Sequence, residues 1–171
     1  MIAAPTITTE RLTLRHHRLE DFEPMAELFA SDRSVHMGGP IPCKKLWYWL
    51  LSEIGSWSIL GFGSWAIDLR DSDTCIGQIG LNQPIHFPEP ELGWILYQEH
   101  EGKGYAYEAA IAARQFAYNT AGLKSLVSYI APDNARSIAL AERLGARLDR
   151  DAARHDPSDL VYRHPVSEAP Q

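Results

Sequence analysis

The chain has 171 residues, 45% of them hydrophobic, which is enough to bury the core of one domain. Its formal net charge of -6 argues against a nucleic-acid surface, because neutralising phosphates takes clustered lysines and arginines. Cys43 and Cys75 are too few for a disulfide framework, and their spacing does not fit a zinc site. We therefore expect one domain with no metal and no nucleic-acid partner.

Residues 1–164 are expected to form this domain, and residues 165–171 a disordered tail. No apolar run reaches the roughly 18 residues that cross a membrane. The first residues lack the basic flank and apolar stretch of a secretion signal. The sequence thus predicts a cytoplasmic protein without membrane contact.

Hydrophobic periodicity predicts the elements in the first third of the chain. Residues 7–15 alternate apolar and polar side chains and predict a strand, whereas residues 20–31 have the spacing of an amphipathic helix. Residues 31–42 contain Gly-Gly-Pro and predict a loop, and residues 44–54 predict a second helix.

Trp47 and Trp49 lie on this second helix. Aromatic residues at helical spacing usually pack in a core, but they could also line a substrate cleft. Together with His86, from the proline-rich connection 82–90, they are our candidate lining of a substrate pocket.

The middle of the chain predicts a hairpin followed by a strand and a helix. Residues 64–69 and 75–81 are strand candidates joined by a turn rich in Asp and Ser. Residues 91–97 predict the next strand, and residues 103–120 predict a helix whose small alanine stripe can lie close to a sheet.

The last third continues with a strand at residues 125–130. Asn134 or Asp133 can cap a helix that ends at Gly145. Two further strands are expected near residues 146–149 and 160–163. This order of elements predicts a mixed sheet with helices on its faces.

Gly102 and Gly104 lie between the strand at residues 91–97 and the following helix. Glycine lets a ligand approach the backbone, and the first amides of a helix lack intrahelical partners and lie at the positive end of its dipole. The junction could therefore bind an anion such as a diphosphate. An ordinary turn that uses glycine only for its backbone freedom is the other interpretation.

Three segments of the sequence match the motifs of a known protein family. Glu-His-Glu-Gly-Lys-Gly-Tyr-Ala-Tyr-Glu-Ala-Ala (99–110) and Asn-Ala-Arg-Ser-Ile-Ala-Leu-Ala-Glu-Arg-Leu-Gly-Ala (134–146) resemble the GNAT superfamily of N-acetyltransferases. Thr-Glu-Arg-Leu-Thr-Leu-Arg (9–15) resembles the branch that acetylates the N-termini of ribosomal proteins. The resemblance implies a mixed, mostly antiparallel central sheet of six to seven strands with helices on both faces.

The resemblance also implies acetyl-CoA as co-substrate and a set of residues that bind it. The loop that takes the pyrophosphate corresponds to Glu99, Gly102, Lys103, Gly104, Tyr105 and Ala106, and the strand beside the pantetheine arm to Trp94, Ile95, Leu96 and Tyr97. The family usually has Gln or Arg where this chain has Glu99. We expect the acid to weaken binding and Lys103 to compensate in part.

Asn134 and Ser137 match the Asn-x-x-Ser pair of the family. There the Asn position contacts the cofactor, and a Ser or Tyr on this helix can protonate the departing thiolate. The position of the usual Tyr is Ala141 here, so Ser137 is the candidate acid, or a hydrogen-bond donor to the sulfur. Asn134 could equally serve only as a helix cap.

The implied chemistry is attack of a neutral amine on the thioester, which requires a group that accepts the proton of the amine. Glu91, at the start of its strand, is our candidate base, directly or through a water, with His86 and Glu89 as alternatives. A solvated edge carboxylate is the other interpretation of Glu91, and a water chain could replace a dedicated base. Cys75 could form an acyl-enzyme, but its place in a strand favours core packing.

The sequence thus predicts an acetyl-CoA-dependent N-acetyltransferase that acts on a primary amine, either a peptide N-terminus or a small molecule. A non-catalytic module that senses acyl-CoA is the alternative. Either a monomer or a homodimer is compatible with the sequence.

Overall fold

A computed structural model of the chain describes residues 3–166. The predicted tail begins within this range, where Pro165 and Val166 belong to neither helix nor strand. Residues 167–171 lie outside the described residues. Within residues 3–166, no helix is both long and apolar enough to span a membrane.

The described part of the chain has four α-helices. They are α1 (Phe22–Ala30), α2 (Cys43–Leu60), α3 (Tyr105–Asn119) and α4 (Ala135–Arg143). Asn134 caps α4 as predicted, since its Oδ1 accepts a hydrogen bond from the amide of Ser137. A 3-10 helix, Asp32–Met37, occupies the segment where the sequence predicts only a loop.

Between residues 3 and 166, eight strands form one sheet in the order β1-β2-β3-β4-β5-β6-β8-β7. They are β1 (Ile7–Thr8), β2 (Leu12–Arg15), β3 (Ser64–Leu69), β4 (Cys75–Asn82), β5 (Glu91–Leu96), β6 (Val127–Ile130), β7 (Arg147–Leu148) and β8 (Leu160–Arg163). All neighbouring strands are antiparallel except β5 and β6. The predicted mixed, mostly antiparallel sheet is confirmed.

The sheet has one or two strands more than predicted. Residues 7–15 form two strands instead of one, because the chain turns between them and β1 pairs antiparallel with β2. Alternation of side chains marked this segment as extended but carries no information about where the chain reverses.

The second helix is also longer than predicted. It continues from Ile54 to Leu60 because Trp57, which is 1% exposed, packs against Trp65 and donates a hydrogen bond to the Ser64 carbonyl. Gly61, with φ +77°, ends the helix.

Helices cover both faces of the sheet. Side chains of β5 alternate: Leu92 packs with the alanine stripe of α3, whereas Ile95 packs with α1 and α2. α3 therefore lies on one face and the α1–α2 pair on the other.

β5 and β6 separate almost as soon as they meet. Their only paired residues are Glu91 and Val127, at the beginning of both strands. Beyond this pair the two strands diverge, and the gap between them leads toward α3 and α4.

Candidate functional site

A groove with a volume of about 570 Å³ opens where β5 separates from β6. Its walls come from β5, the glycine loop, the first turn of α3, α4 and the 3-10 helix after α1. The residues of β5 and of the glycine loop and α3 that line it are Trp94, Ile95, Leu96, Glu101, Gly102, Gly104, Ala106 and Tyr107. The groove thus joins the sheet to the N-terminus of a helix.

The glycine loop leaves the first turn of α3 open toward the groove. Gly102 and Gly104 have φ +72° and +82°, in the left-handed region that a side chain disfavours. Gly104 is the N-cap residue and provides no side chain that could bond the first amides of α3. These amides have no intrahelical acceptor and therefore form an anion-binding position.

Three arginines add positive charge along the groove: Arg33, Arg136 and Arg143. Two of them face the carboxylate of Glu101, with Arg33 Nη2 2.6 Å from Oε1 and Arg136 Nη2 2.7 Å from Oε2. Glu101 thus links the 3-10 helix to α4 across the opening.

Within the glycine loop, the acidic residue that lines the groove is therefore Glu101, and not Glu99 as the sequence led us to expect. Glu99 lies in a short 3-10 helix, Gln98–His100, with its side chain exposed and away from the groove lining. The short helix separates the two acids, which a comparison of motifs alone could not show.

The predicted cofactor residues divide into two groups. Trp94, Ile95, Leu96, Gly102, Gly104, Ala106, Asn134 and Ser137 line the groove. Tyr97, Lys103 and Tyr105 do not. Burial raises the pKa of Tyr97, which lies near Cys75 on the other side of β5, and the Tyr105 ring lies 4.7 Å from the Arg11 guanidinium.

Ser137 is held in place from two sides. Its amide donates to Asn134 Oδ1 at 3.2 Å, and its hydroxyl oxygen accepts from Trp94 Nε1 at 3.2 Å. The hydroxyl proton is then free to point into the groove. Asn134 caps α4 and also lines the groove, so its two predicted roles are compatible.

Glu91 lies at the point where β5 and β6 diverge, beside the groove but not in its lining. The side chain is partly buried, and its Oε2 lies 3.3 Å from Asn82 Nδ2. Burial, opposed by the Asn82 hydrogen bond, raises the pKa of Glu91 to about 7. A carboxyl that titrates near neutral pH has the properties of a general base.

The two alternative bases are placed differently. Glu89 forms a bidentate pair with Arg163, with N–O distances of 2.7 and 2.9 Å, and this hydrogen-bonded arginine lowers the pKa of the Glu89 carboxyl. His86 is exposed and packs against Phe87 and His155. Glu89 is thus engaged in a structural ion pair, whereas Glu91 has no cationic partner in the described residues.

Trp47 and Trp49 contact α1, and neither lines the groove. Trp47 meets Phe22 edge to face at 5.3 Å between centroids, and Trp49 lies 5.1 Å from Phe29. Trp49 is half-buried whereas Trp47 is exposed, so packing accounts for Trp49 and only in part for Trp47, while a role in substrate binding stays a prediction.

Cys75 is a poor candidate for an acyl-enzyme, because burial raises the pKa of its thiol to about 11. No cluster of metal ligands occurs within residues 3–166.

Sequence reasoning expected the loop at residues 31–42 to help shape the acceptor pocket but did not single out its residues that line the groove. Arg33, His36 and Met37 come from the 3-10 helix that we expected to be a loop, and no motif marks them. Arg136 could have been found, since it directly precedes Ser137 in the Asn-x-x-Ser segment.

Comparisons with known proteins agree with this geometry. The family model described as acetyltransferase (GNAT) domain matches residues 11–147. The crystal structure of an acetyltransferase from Agrobacterium tumefaciens is 47% identical, with a TM-score of 0.92 and 96% of each chain covered. The uncharacterized N-acetyltransferase YnaD of Bacillus subtilis is 25% identical over 84% of this chain and 83% of its own.

More distant structures share the fold alone. A spermidine N-acetyltransferase from Vibrio cholerae, solved with CoA and spermine, is 17% identical with a TM-score of 0.70, covering 91% of this chain and 94% of its own. Two structures named for the acetylation of ribosomal proteins have 22% and 16% identity. The same fold thus accompanies more than one named acceptor.

Proposed function

We propose that this chain, which belongs to the GNAT acetyltransferase family, binds acetyl-CoA in the groove beside β5 and transfers the acetyl group to a primary amine. The observation that carries the proposal is the open first turn of α3 beside the gap between β5 and β6. One end of this groove suits phosphates, and Glu91 lies beside the groove, at the start of β5.

The phosphate end consists of backbone amides and arginines. The first turn of α3 follows Gly104 and lines the groove, as do Arg33 and Arg136. A pyrophosphate bound here would receive amide hydrogen bonds and would replace Glu101 as the partner of the arginines. The donor set fits the diphosphate of acetyl-CoA.

The thioester end lies between the diverging strands. Trp94, Ile95 and Leu96 line it, and Ser137 directs a hydroxyl into it. In this placement Ser137 donates a proton or hydrogen bond to the sulfur, and the acetyl carbonyl lies along β5. Holding the thioester and the amine side by side supplies a large part of the acceleration.

Glu91 is the proposed proton acceptor for the amine. An ammonium ion has no lone pair, so the acceptor must lose a proton before its nitrogen attacks the carbonyl carbon. Glu91 accepts this proton on Oε1 or Oε2, directly or through a water. Its pKa of about 7 means that a large fraction is ionised at neutral pH.

The acceptor is a small molecule or the N-terminus of a peptide. The opening residues 9–15 favour the ribosomal-protein branch, and the carboxylates of Glu91 and Asp159 favour an acceptor that arrives as a cation. We propose a primary amine as the shared chemistry of these acceptors.

Calorimetry with acetyl-CoA, followed by a free-thiol assay over a panel of amines, tests the proposal. Gly104→Ala should weaken acetyl-CoA binding by about tenfold or more, because it places a side chain at the N-cap and strains the loop. Gly122→Ala is the matched control, since Gly122 has φ +70° but lies outside the groove lining. Heat of binding without thiol release on any amine would identify an acyl-CoA sensor instead, and absence of binding would refute the proposal.

A further inference from the structure

A chain of four polar side chains connects α2 to the start of β5. The Glu53 carboxyl on α2 is hydrogen-bonded to the hydroxyl of Ser64 on β3. Ser64 Oγ lies 3.2 Å from Asn82 Oδ1, and Asn82 Nδ2 lies 3.3 Å from Glu91 Oε2. A second carboxyl group is thus linked to the proposed base.

The far end of this chain is deeply buried. Glu53 is 7% exposed and Ser64 is fully buried. Neither Glu53 nor Glu91 forms an ion pair with a lysine or arginine of the described part of the chain. A buried carboxyl without a cation favours its neutral form, and burial raises the pKa of Glu53 to about 7.

The backbone beneath these hydrogen-bonded side chains leaves room for them. Gly80, between Ser64 and Asn82, has no side chain, and a Cβ there would overlap Ser64 Oγ and lie 3.0 Å from Asn82 Oδ1. On β5, a Cβ at Gly93 would lie 3.4 Å from Asn82 Nδ2. Both strands therefore accommodate this polar connection on the face that α2 covers.

Hydrogen-bond chemistry fixes the direction of the chain. An ionised Glu91 can only accept, so the Asn82 amide group must donate to it, and Asn82 Oδ1 is left facing Ser64. This oxygen also only accepts, so the single hydroxyl proton of Ser64 goes to Asn82. Ser64 Oγ then accepts from Glu53, which can donate only when protonated.

Ionisation of Glu53 breaks this order. A Glu53 carboxylate would take the Ser64 proton, and Asn82 Oδ1 would lose its donor. The amide could then turn its oxygen toward Glu91, where it repels a carboxylate.

We propose that Glu53 is a positioning residue for the acceptor side of the site: in its protonated form it orients Ser64 and Asn82 so that the Asn82 amide donates to an ionised Glu91. The inference rests on the proposed role of Glu91 as proton acceptor. Glu53 itself touches neither the amine nor the thioester, so it acts only through Ser64 and Asn82.

Other titratable groups face the same end of the chain. Asp159, from the segment between β7 and β8, adds negative charge near Glu91. On β6, the Tyr129 backbone lowers the pKa of Glu91, and the charge of Glu91 contributes to raising the pKa of the Tyr129 phenol. His155 Nε2 lies 3.7 Å from Asp159 Oδ2. These groups stay unchanged in the variants below, so a change in the pH dependence of kcat is attributed to Glu53 and its bond to Ser64.

The kinetic test compares Glu53→Gln with the natural protein across pH. A glutamine amide donates to Ser64 at every pH, so its kcat should lie within about threefold of wild type near pH 6.5, and the ratio of variant to wild type should rise several-fold by about pH 8.5. Both proteins meet the same ionised fraction of the amine at each pH, so the ratio of their kcat values does not depend on ionisation of the amine. A ratio that does not change with pH would overturn the proposal.

Ser64→Ala removes the hydrogen-bond link between Glu53 and Asn82, while the carboxyl groups of Glu53 and Glu91 both remain. We expect kcat to fall about tenfold near pH 6.5, because Asn82 is no longer oriented to donate its hydrogen bond to the charged Glu91, with KM for acetyl-CoA unchanged. Ser128→Ala is the matched control, because Ser128 is a buried strand serine that bonds the Leu92 carbonyl and His164 outside the chain. Equal pH profiles of the two alanine variants would refute the positioning role.

A readout without turnover separates this inference from the proposed function. In NMR with carboxyl-labelled glutamate, the resonances lost in Glu53→Gln and Glu91→Gln identify the two groups. Glu53 should retain its proton to higher pH than Glu91, and the Asn82 side-chain amide should shift as Glu53 titrates. Ionisation of Glu53 at a lower pH than Glu91 would overturn the inference even if acetyl transfer is observed. The expected order of titration without transfer to any amine would instead count against the enzyme.

Discussion

Arg136 on α4 and Glu101 in the glycine loop face each other across the groove, with Nη2 and Oε2 2.7 Å apart. Arg33 binds the other oxygen of the same carboxylate. The Arg136 side chain is 70% exposed, so the pair is screened by solvent and stabilises little. We therefore expect a cofactor phosphate to compete with Glu101 for Arg136.

Glu101→Gln should tighten acetyl-CoA binding. Without the carboxylate, Arg33 and Arg136 are available to the phosphates, and we expect a Kd about three- to tenfold lower at low salt. Calorimetry measures the Kd for acetyl-CoA. Glu99→Gln is the control, because Glu99 is exposed and lies outside the groove. Weaker binding by Glu101→Gln would show that Glu101 holds the arginines in place for the cofactor.

Glu91→Gln should lower kcat about a hundredfold or more at neutral pH, because a glutamine cannot accept the amine proton. Acetyl-CoA binding should be unchanged, since Glu91 does not line the groove. Initial rates from the free-thiol assay measure the effect. In the control Glu89→Gln, loss of the Arg163 pair should reduce stability more than kcat. An unchanged rate in Glu91→Gln would show that Glu91 does not accept the amine proton and that water carries it away.

Glu53→Gln should change how stability depends on pH. The Glu53 pKa rises from 4.5 to about 7 on folding, so between these values the unfolded chain loses a proton that the folded chain keeps. The contribution of Glu53 to the free energy of unfolding is fully present below pH 4.5. It is lost as pH rises through the folded-state pKa of about 7, by about 3 kcal/mol in total. The variant should not show this loss.

Urea unfolding near pH 4.5 and pH 7.5 measures the difference. The free energy of unfolding of Glu53→Gln relative to wild type should be higher at the upper pH. Glu27→Gln, at an exposed position of α1, is the control. Parallel pH dependence of Glu53→Gln and wild type would show that Glu53 is ionised in the folded protein.

Cys75 should resist alkylation in the folded protein. Burial raises its thiol pKa from 9.0 to about 11, which makes the reactive thiolate about 100-fold rarer than for an ordinary thiol. Cys43 is exposed at the start of α2 and should react at once. Mass spectrometry after iodoacetamide treatment should find one modification, and none in Cys43→Ser until urea is added. Retained acetyl transfer in Cys75→Ala would complete the argument against an acyl-enzyme.

The local features of the fold were predictable from the sequence because they depend on neighbours in the chain. Side-chain alternation located β3, β4 and β5, and the alanine spacing located α3. Asn134 was predicted as a cap because capping needs only the amide three residues later. Alternation could not reveal the reversal between β1 and β2, since a strand and a tight hairpin share the same pattern.

The sequence by itself determined the family motifs, the type of sheet and the glycine loop at the start of α3, because these follow from residue order and backbone chemistry. Only the tertiary structure decided that Glu101, and not Glu99, meets the arginines of the groove, and that Glu53 connects to Glu91. Both relationships join side chains far apart in sequence, and their distances are set by how helices pack on the sheet.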